Sequence, residues 1–354
     1  MVNREVDYII VGLGLAGLTF SRILEKHKKS FIVFEDNSQN ASLVASGMYN
    51  PVVLKRFTPV WKANSQLKVT IPFYQELEQL LQNKYNFAVA IYRVFKSVEE
   101  QNNWTVACDK PLLSNYMIPQ IINKKTVGIL SNFGFGKLKN TGRISTKLLL
   151  DDYKLYLKER NLIKYERFNY HSLKINKNLV EYENITAKNI IFCEGFGLTK
   201  NPFFNYLPMR EAKGELLTIH TPELNIDFMI KSSVFVLPLG NHYYKVGATF
   251  NWKDKTLNTT QEGKQELIDK LSTVINVPYK IVSQSAGIRP TVKDRRPLVG
   301  KHPVYKNMAI LNGLGTRGVM IAPWVAKQLF HHLENDKELD KEIMINRYQK
   351  LFSN

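Results

Sequence analysis

Three glycines and one acid near the start of the chain have types and spacing that could do chemistry. Gly12, Gly14 and Gly17 fall in a G-x-G-x-x-G spacing, and Glu35 follows. In such a turn the first glycine permits a tight bend, the second lets a pyrophosphate approach the backbone, and the third lets the next helix pack closely on the strand. The phosphate would sit on the helix's unpaired N–H groups. Glu35 lies about 20 residues beyond the glycines, where a ribose 2′-hydroxyl needs an acceptor. Its charge would repel a 2′-phosphate, which disfavours NADP and leaves NAD or FAD; the turn itself does not choose between them.

Such a turn works only if flanking elements hold it. Tyr8 to Val11 is a short apolar, β-branched run of the kind buried on both faces of a parallel sheet. Leu18, Ile23 and Leu24, with Arg22, Glu25 and Lys26 between, suit a helix lying on that sheet. Ser30 to Glu35 reads as the second strand. Asn189 to Gly195 repeats the form, a buried strand running into a glycine, and is expected to deliver Gly195 to the same crevice.

The 354 residues can bury a large core, and the length predicts about two domains. No stretch is long enough to span a membrane. Acidic Glu5 and Asp7 before the first apolar run argue against a signal peptide. Cys108 and Cys193 are the only cysteines and form no disulfide framework, which points to a reducing cytoplasm. The histidines show no metal-ligand spacing, so no metal is assigned. The formal net charge of +18 is the one unusual bulk property. It fits either a lysine-rich solvated surface or an anionic partner such as RNA.

Further along, the small residues Ala45, Ser46 and Gly47 let the backbone approach a flat ligand. Phe73, Leu77, Leu80 and Leu81 have helical spacing over 70–83, and 85–97 turns to strand character. Residues 97–140 read as irregular. A helix is predicted from Gly142-Arg-Ile-Ser-Thr, with Ser145 as cap and Leu148, Leu149, Tyr153 and Leu157 on one side. Strands at 214–220, 228–237 and 242–250 predict an antiparallel sheet that the strand near Ala90 can join. A helix over 261–274, a strand at 308–311 and an amphipathic helix over 324–333 complete the pattern.

These residues together resemble the FAD-dependent amine and amino-acid oxidase family that includes D-amino-acid oxidase, glycine oxidase and sarcosine oxidase. The markers are the glycine turn with Glu35, Val44-Ala-Ser-Gly-Met48, Lys213-Gly-Glu215, Val246-Gly-Ala-Thr249, Gly287-Ile-Arg-Pro290 with Asp294, Pro297 and Gly300, and the closing Gly318 to Pro323. The similarity runs in order through nearly the whole chain. It implies an α/β fold, with a Rossmann-like FAD-binding domain plus an antiparallel-sheet α+β substrate domain. The FAD-binding domain would be assembled from 1–80, 140–212 and 284–354, and the substrate domain from 81–139 and 213–283.

The resemblance also implies roles for particular residues. The FAD pyrophosphate would lie on Gly12, Gly14, Leu15, Ala16 and Gly17, its adenosine near Glu35, and its flavin ring near Ala45, Ser46, Gly47 and Met48. Gly195, Gly287, Gly315, Gly318, Val319 and Met320 would complete the cofactor site, with the N–H groups around Gly318 and Val319 facing the flavin edge that becomes anionic on reduction. Arg289 would pair with a substrate carboxylate, a task that suits a guanidinium fork. Arg317 would share the substrate side, with Tyr243, Tyr244 and Phe250 as candidate wall residues; Tyr243 and Tyr244 alternate faces, so at most one of those two reaches it, and Tyr244 is expected to be that one.

The implied reaction is oxidation of the C–N bond of a small amino acid or secondary amine, by hydride transfer to flavin N5, giving an imine that hydrolyses. Neither cysteine stands where sarcosine oxidases attach their flavin, so FAD is expected to be noncovalent. Gly313-Leu-Gly-Thr-Arg-Gly-Val is also similar to the oxidase domain of bifunctional enzymes that remove carboxymethyl from carboxymethylaminomethyl-uridine in tRNA. That likeness implies tRNA as an alternative substrate.

Overall fold

The computed structural model describes residues 4–123 and 125–352. Ile9, Ile10 and Val11 offer no polar side chain, and accordingly their strand, Arg4–Val11, is covered on both faces. It runs parallel to Phe31–Phe34 on one side and to Ile185–Phe192 on the other. Ile163–Lys164 extends the sheet beyond Phe31–Phe34, again in parallel. The far side of Ile185–Phe192 is shared. Its first half pairs antiparallel with Val180–Tyr182, and its second half pairs parallel with Met308–Asn312. With Leu173–Ile175 and Leu298–Lys301 this makes an eight-stranded mixed sheet.

Helices Leu15–Lys26, Ala63–Leu81, Thr146–Glu159 and Gly318–Asn335 cover one face of that sheet, around Phe20, Tyr74, Leu149 and Met320. The other face packs Phe34, Phe168, Tyr182 and Phe192 into a second core. The parallel strands Arg4–Val11 and Phe31–Phe34, joined through the helix Leu15–Lys26, form a Rossmann-like βαβ unit.

A seven-stranded sheet stands beside it, in the order Lys280–Val292, Met209–His220, Tyr243–Gly247, Phe235–Gly240, Met229–Lys231, Ile91–Val94, Phe135–Leu138. All neighbours are antiparallel except Met229–Lys231 with Ile91–Val94, so the strand near Ala90 joins in parallel. The ladder between Met209–His220 and Lys280–Val292 is the longest in the molecule and carries Arg289 from this sheet towards the first.

Four local expectations are corrected. Residues 97–140 contain a helix, Val98–Cys108, whose Ser97 side chain accepts the Glu100 N–H. Gly142–Ile144 is a strand, and the helix begins at Thr146 without a side-chain bond from Ser145. That helix buries Leu149, Leu150, Tyr153 and Leu157 and leaves Leu148 exposed, because its register is one residue on. The last long helix starts at Gly318 with Pro323 inside it. A proline there withholds a hydrogen bond from the carbonyl four residues back. The Tyr74 hydroxyl donates to that Val319 carbonyl at 3.0 Å instead, and Thr70 donates to the Met320 carbonyl at 2.7 Å.

Candidate active site

Between the two sheets lies an elongated cavity of about 850 Å³. That is near the upper end for a small-molecule site. At one end it is walled by the glycine turn. Gly12 has φ +94°, and a side chain there would strike the Cys193 carbonyl of the neighbouring strand. Gly14, Leu15 and Ala16 line the cavity beyond it. Gly17 does not: a methyl at that position would collide with the Gly12 carbonyl, so its task is to let helix and turn close on each other.

Glu35 is buried at this end and is tied into the turn. The Leu13 N–H donates to Oε2 at 2.5 Å and the Asn37 N–H to Oε1 at 2.9 Å. The Lys154 ammonium lies 3.6 Å from Oε1. Glu35 therefore braces the loop as well as lining the cavity. Glu194, next to Gly195, also lines it, and accepts hydrogen bonds from the Tyr170 hydroxyl and from Asn201 Nδ2. Burial outweighs these bonds and pushes its carboxyl up to about 7.

Ala45, Ser46, Gly47 and Met48 form the middle wall, with Gly287, Gly315, Gly318 and Val319 contributing further along. Met320 faces the helical core instead, fully buried beside the Thr70 contact, because it stands on the inner side of its helix. Two helix N-termini open on the cavity, those of Leu15–Lys26 and Gly318–Asn335. Neither is capped by the side chain of its own N-cap residue or has an acid in its first turn, although Ser42 Oγ accepts the Leu15 N–H at 3.2 Å. N–H donors at both points fit an extended ligand with a pyrophosphate at one and an electron-rich edge at the other, as FAD has.

Arg289 and Arg317 line the far part of the cavity. Neither forms an ion pair among the described residues. Arg289 donates to the Thr249 and Lys213 carbonyls at 3.3–3.4 Å and lies 4.2 Å from the Phe250 ring centroid. Burial pushes its guanidinium down to about 10 and depresses that of Arg317 as well, with Arg295 adding to the latter. A methyl on Gly214 would occupy the Arg289 guanidinium's place, so that glycine makes room for it.

Tyr244 is a correction. Its side chain points to the opposite face of its strand, into the core with Leu267 and Leu271, and its hydroxyl donates to the Leu224 carbonyl. Tyr243 is exposed against His220, which leaves Phe250 as the aromatic of the three on the cavity wall. Lys231, absent from the expected set, lines the cavity near Phe235. Its one sequence signal is a lysine closing the apolar run Phe228-Met-Ile. No cluster of metal-ligating side chains occurs among the described residues.

With this arrangement in place, comparison with known proteins decides the class. The family model for FAD dependent oxidoreductases, DAO, matches residues 7–331. The chain belongs to this family. It is thus an FAD-dependent oxidoreductase.

Among curated relatives of this oxidoreductase, the tRNA 5-methylaminomethyl-2-thiouridine biosynthesis bifunctional protein MnmC of Idiomarina loihiensis is 26% identical over 129 residues, 35% of this chain and 21% of that protein. Glycine oxidase of Bacillus subtilis is 24% identical over 166 residues, 45% of this chain and 44% of that protein. The matched part thus spans about a fifth of the first relative and under half of the second.

Solved structures match over almost the full length. Glycine oxidase from Bacillus cereus superposes with TM-score 0.76 at 17% identity, covering 94% of this chain and 96% of that one. L-proline dehydrogenase from P. horikoshii gives 0.79 at 14%, covering 99% of both. These likenesses establish the fold.

Proposed function

We propose that this oxidoreductase oxidises the C–N bond of an amine that carries a carboxylate, a glycine-type substrate, to an imine that water then hydrolyses. The observation that carries the reading is Arg289: a half-buried guanidinium on the cavity wall with no ion-pair partner among the described residues. Holding such a charge costs stability, and a substrate carboxylate would supply the missing partner. Phe250 and the Thr249 carbonyl fix the plane of the fork. Bound FAD would take up the electrons and hydrogen from the carbon beside nitrogen.

The cavity wall around Arg289, from Gly214 to Phe250 and Arg317, contains no histidine or carboxylate. With no base at hand, the amine would have to arrive neutral, its proton left in solvent. Arg317 and the first N–H groups of its helix make the local potential positive, which favours negative charge developing there. Segments 1–80, 140–212 and 284–354 hold FAD in this reading, and 81–139 with 213–283 form the substrate domain. FAD is held without a covalent link: Cys193 stands at the glycine-turn end, its thiol made less acidic by burial, and Cys108 lies in another core. Two free, buried cysteines also fit a cytoplasmic protein.

A second reading keeps the chemistry and enlarges the substrate: tRNA bearing carboxymethylaminomethyl-uridine, itself an N-substituted glycine. It is favoured by the net charge of +18 and by the first curated relatives. Replacing Arg289 by Leu tests what the two share. The variant should retain FAD while kcat/KM for sarcosine falls by about 30-fold or more, the loss of a charge-assisted pair. Unchanged kinetics would remove Arg289 from the site.

A further inference from the structure

Five cations line the cavity on its substrate side, Lys231, Lys255, Lys270, Arg289 and Arg317, and they differ in how they are compensated. Lys255 lies 3.3 Å from Glu211 and Lys270 2.5 Å from Glu266. Arg93, beside Lys231 in the sheet, is paired with Glu100 at 2.5 Å. Lys231 has no such partner among the described residues, although it is mostly buried and has two paired cations for neighbours. Burial first, then Arg93 and Lys270, pushes its ammonium down to about 8. Its ammonium forms no hydrogen bond among the described residues and stands 6.0 Å from the Phe235 ring centroid, with Ser233 also on the wall. Like Arg289, it has no carboxylate partner among the described residues.

The two positions are far apart. Lys231 is in register with Phe235, Gly247, Leu216 and Ser285 across four successive strand pairs. Four steps of roughly 4.8 Å and the four residues from Ser285 to Arg289, at roughly 3.4 Å each, separate the two Cα atoms by about 23 Å. The reach of both side chains shortens this, and still leaves a gap that a dicarboxylic amino acid cannot bridge.

We propose that Lys231 is a second anion subsite of this cavity, which takes a phosphate of an extended, nucleotide-containing substrate while the substrate's carboxylate end meets Arg289. A phosphate suits this position better than a carboxylate, because it supplies several acceptor oxygens to an ammonium acting as a point charge. The proposal rests on the reading of Arg289 as the carboxylate partner, and it deepens that reading by naming a substrate class. Lys231 acts in selection only, since nothing places it at the reacting carbon.

The test is calorimetric titration of the FAD-loaded protein with uridine, uridine 5′-monophosphate and a short anticodon stem-loop RNA, using wild type, Lys231→Met and Lys231→Arg. Wild type should bind the monophosphate at least about tenfold more tightly than uridine, the scale of one hydrogen bond to a charged group. Lys231→Met should abolish that preference and Lys231→Arg should keep most of it. If the stem-loop also weakens in Lys231→Met, the phosphate belongs to RNA; if it binds both proteins alike, the phosphate belongs to a free nucleotide. Equal binding of uridine and its monophosphate to wild type would overturn the proposal, as would a preference that survives in Lys231→Met. No turnover is needed, so this result is separable from a failure of the oxidase reading, which sarcosine oxidation reports.

Discussion

Arg289, Lys231 and Glu194 share one property at the residue scale: each holds an ionisable group in the cavity wall under conditions that disfavour its charge. For Glu194 the consequence can be read as stability. Its carboxyl is raised from 4.5 to about 7, so the folded state binds the proton more tightly than the unfolded chain. The contribution is fully present below pH 4.5 and is lost as pH rises through 7, a change of about 3 kcal/mol. Thermal melting from pH 5 to pH 8 should show wild type losing stability relative to Glu194→Gln, whose side chain stays neutral. Parallel profiles would show that Glu194 does not titrate as inferred. At Gly214 the expectation is steric. Gly214→Ala should displace the Arg289 fork and raise KM for carboxylate substrates, with FAD content unchanged; an unaltered KM would show that the fork has other room.

Elements explain which of these features the sequence discloses. The glycine turn, its strand and Glu35 are legible because each depends on neighbours within one βαβ unit, where apolar runs and glycine spacing carry the information. The helix at Val98–Cys108 had a signal that periodicity overlooks: Ser97-Val-Glu-Glu100 has the capping-box sequence, and the Ser97 hydroxyl accepts the Glu100 N–H while the Glu100 carboxylate reaches back one residue further, to the Lys96 N–H at 2.8 Å. The start of the last long helix was hidden by Pro323. A proline reads as a boundary unless the hydroxyl that satisfies the freed carbonyl is known, and Tyr74 is 245 residues away in sequence. Tyr244 and Lys231 were beyond reach for a related reason. Which face of a strand meets the cavity depends on pairing with strands far along the chain, and a shift of one residue exchanges the faces. Removing the Tyr74 donor should be felt at the flavin end. Tyr74→Phe leaves a buried carbonyl unpaired, costing roughly 1–3 kcal/mol in denaturant unfolding, and should weaken FAD binding through the helix that carries Gly318 and Val319. Wild-type stability and FAD affinity in that variant would show that the carbonyl finds another partner.

The whole molecule combines a net charge of +18 with a cavity whose substrate side is lined by cations. Among the described residues no helix is long and apolar enough to cross a membrane. If the substrate is an RNA, KM should climb steeply between 50 mM and 200 mM salt, since each neutralised phosphate releases counterions, whereas KM for sarcosine should change little. A flat response with RNA would make the surface charge incidental to turnover. Both substrate readings depend on one claim, that the cavity brings a carboxylate-bearing amine to the flavin. Anaerobic titration of the FAD-loaded protein tests it most directly, with flavin absorbance followed as matched pairs of amines are added, sarcosine against dimethylamine and a carboxymethylaminomethyl-uridine stem-loop RNA against its methylaminomethyl counterpart. Bleaching is expected from at least one of the two carboxylate-bearing amines and from neither carboxylate-free counterpart. Bleaching that ignores the carboxylate, or none with any of the four, would contradict it.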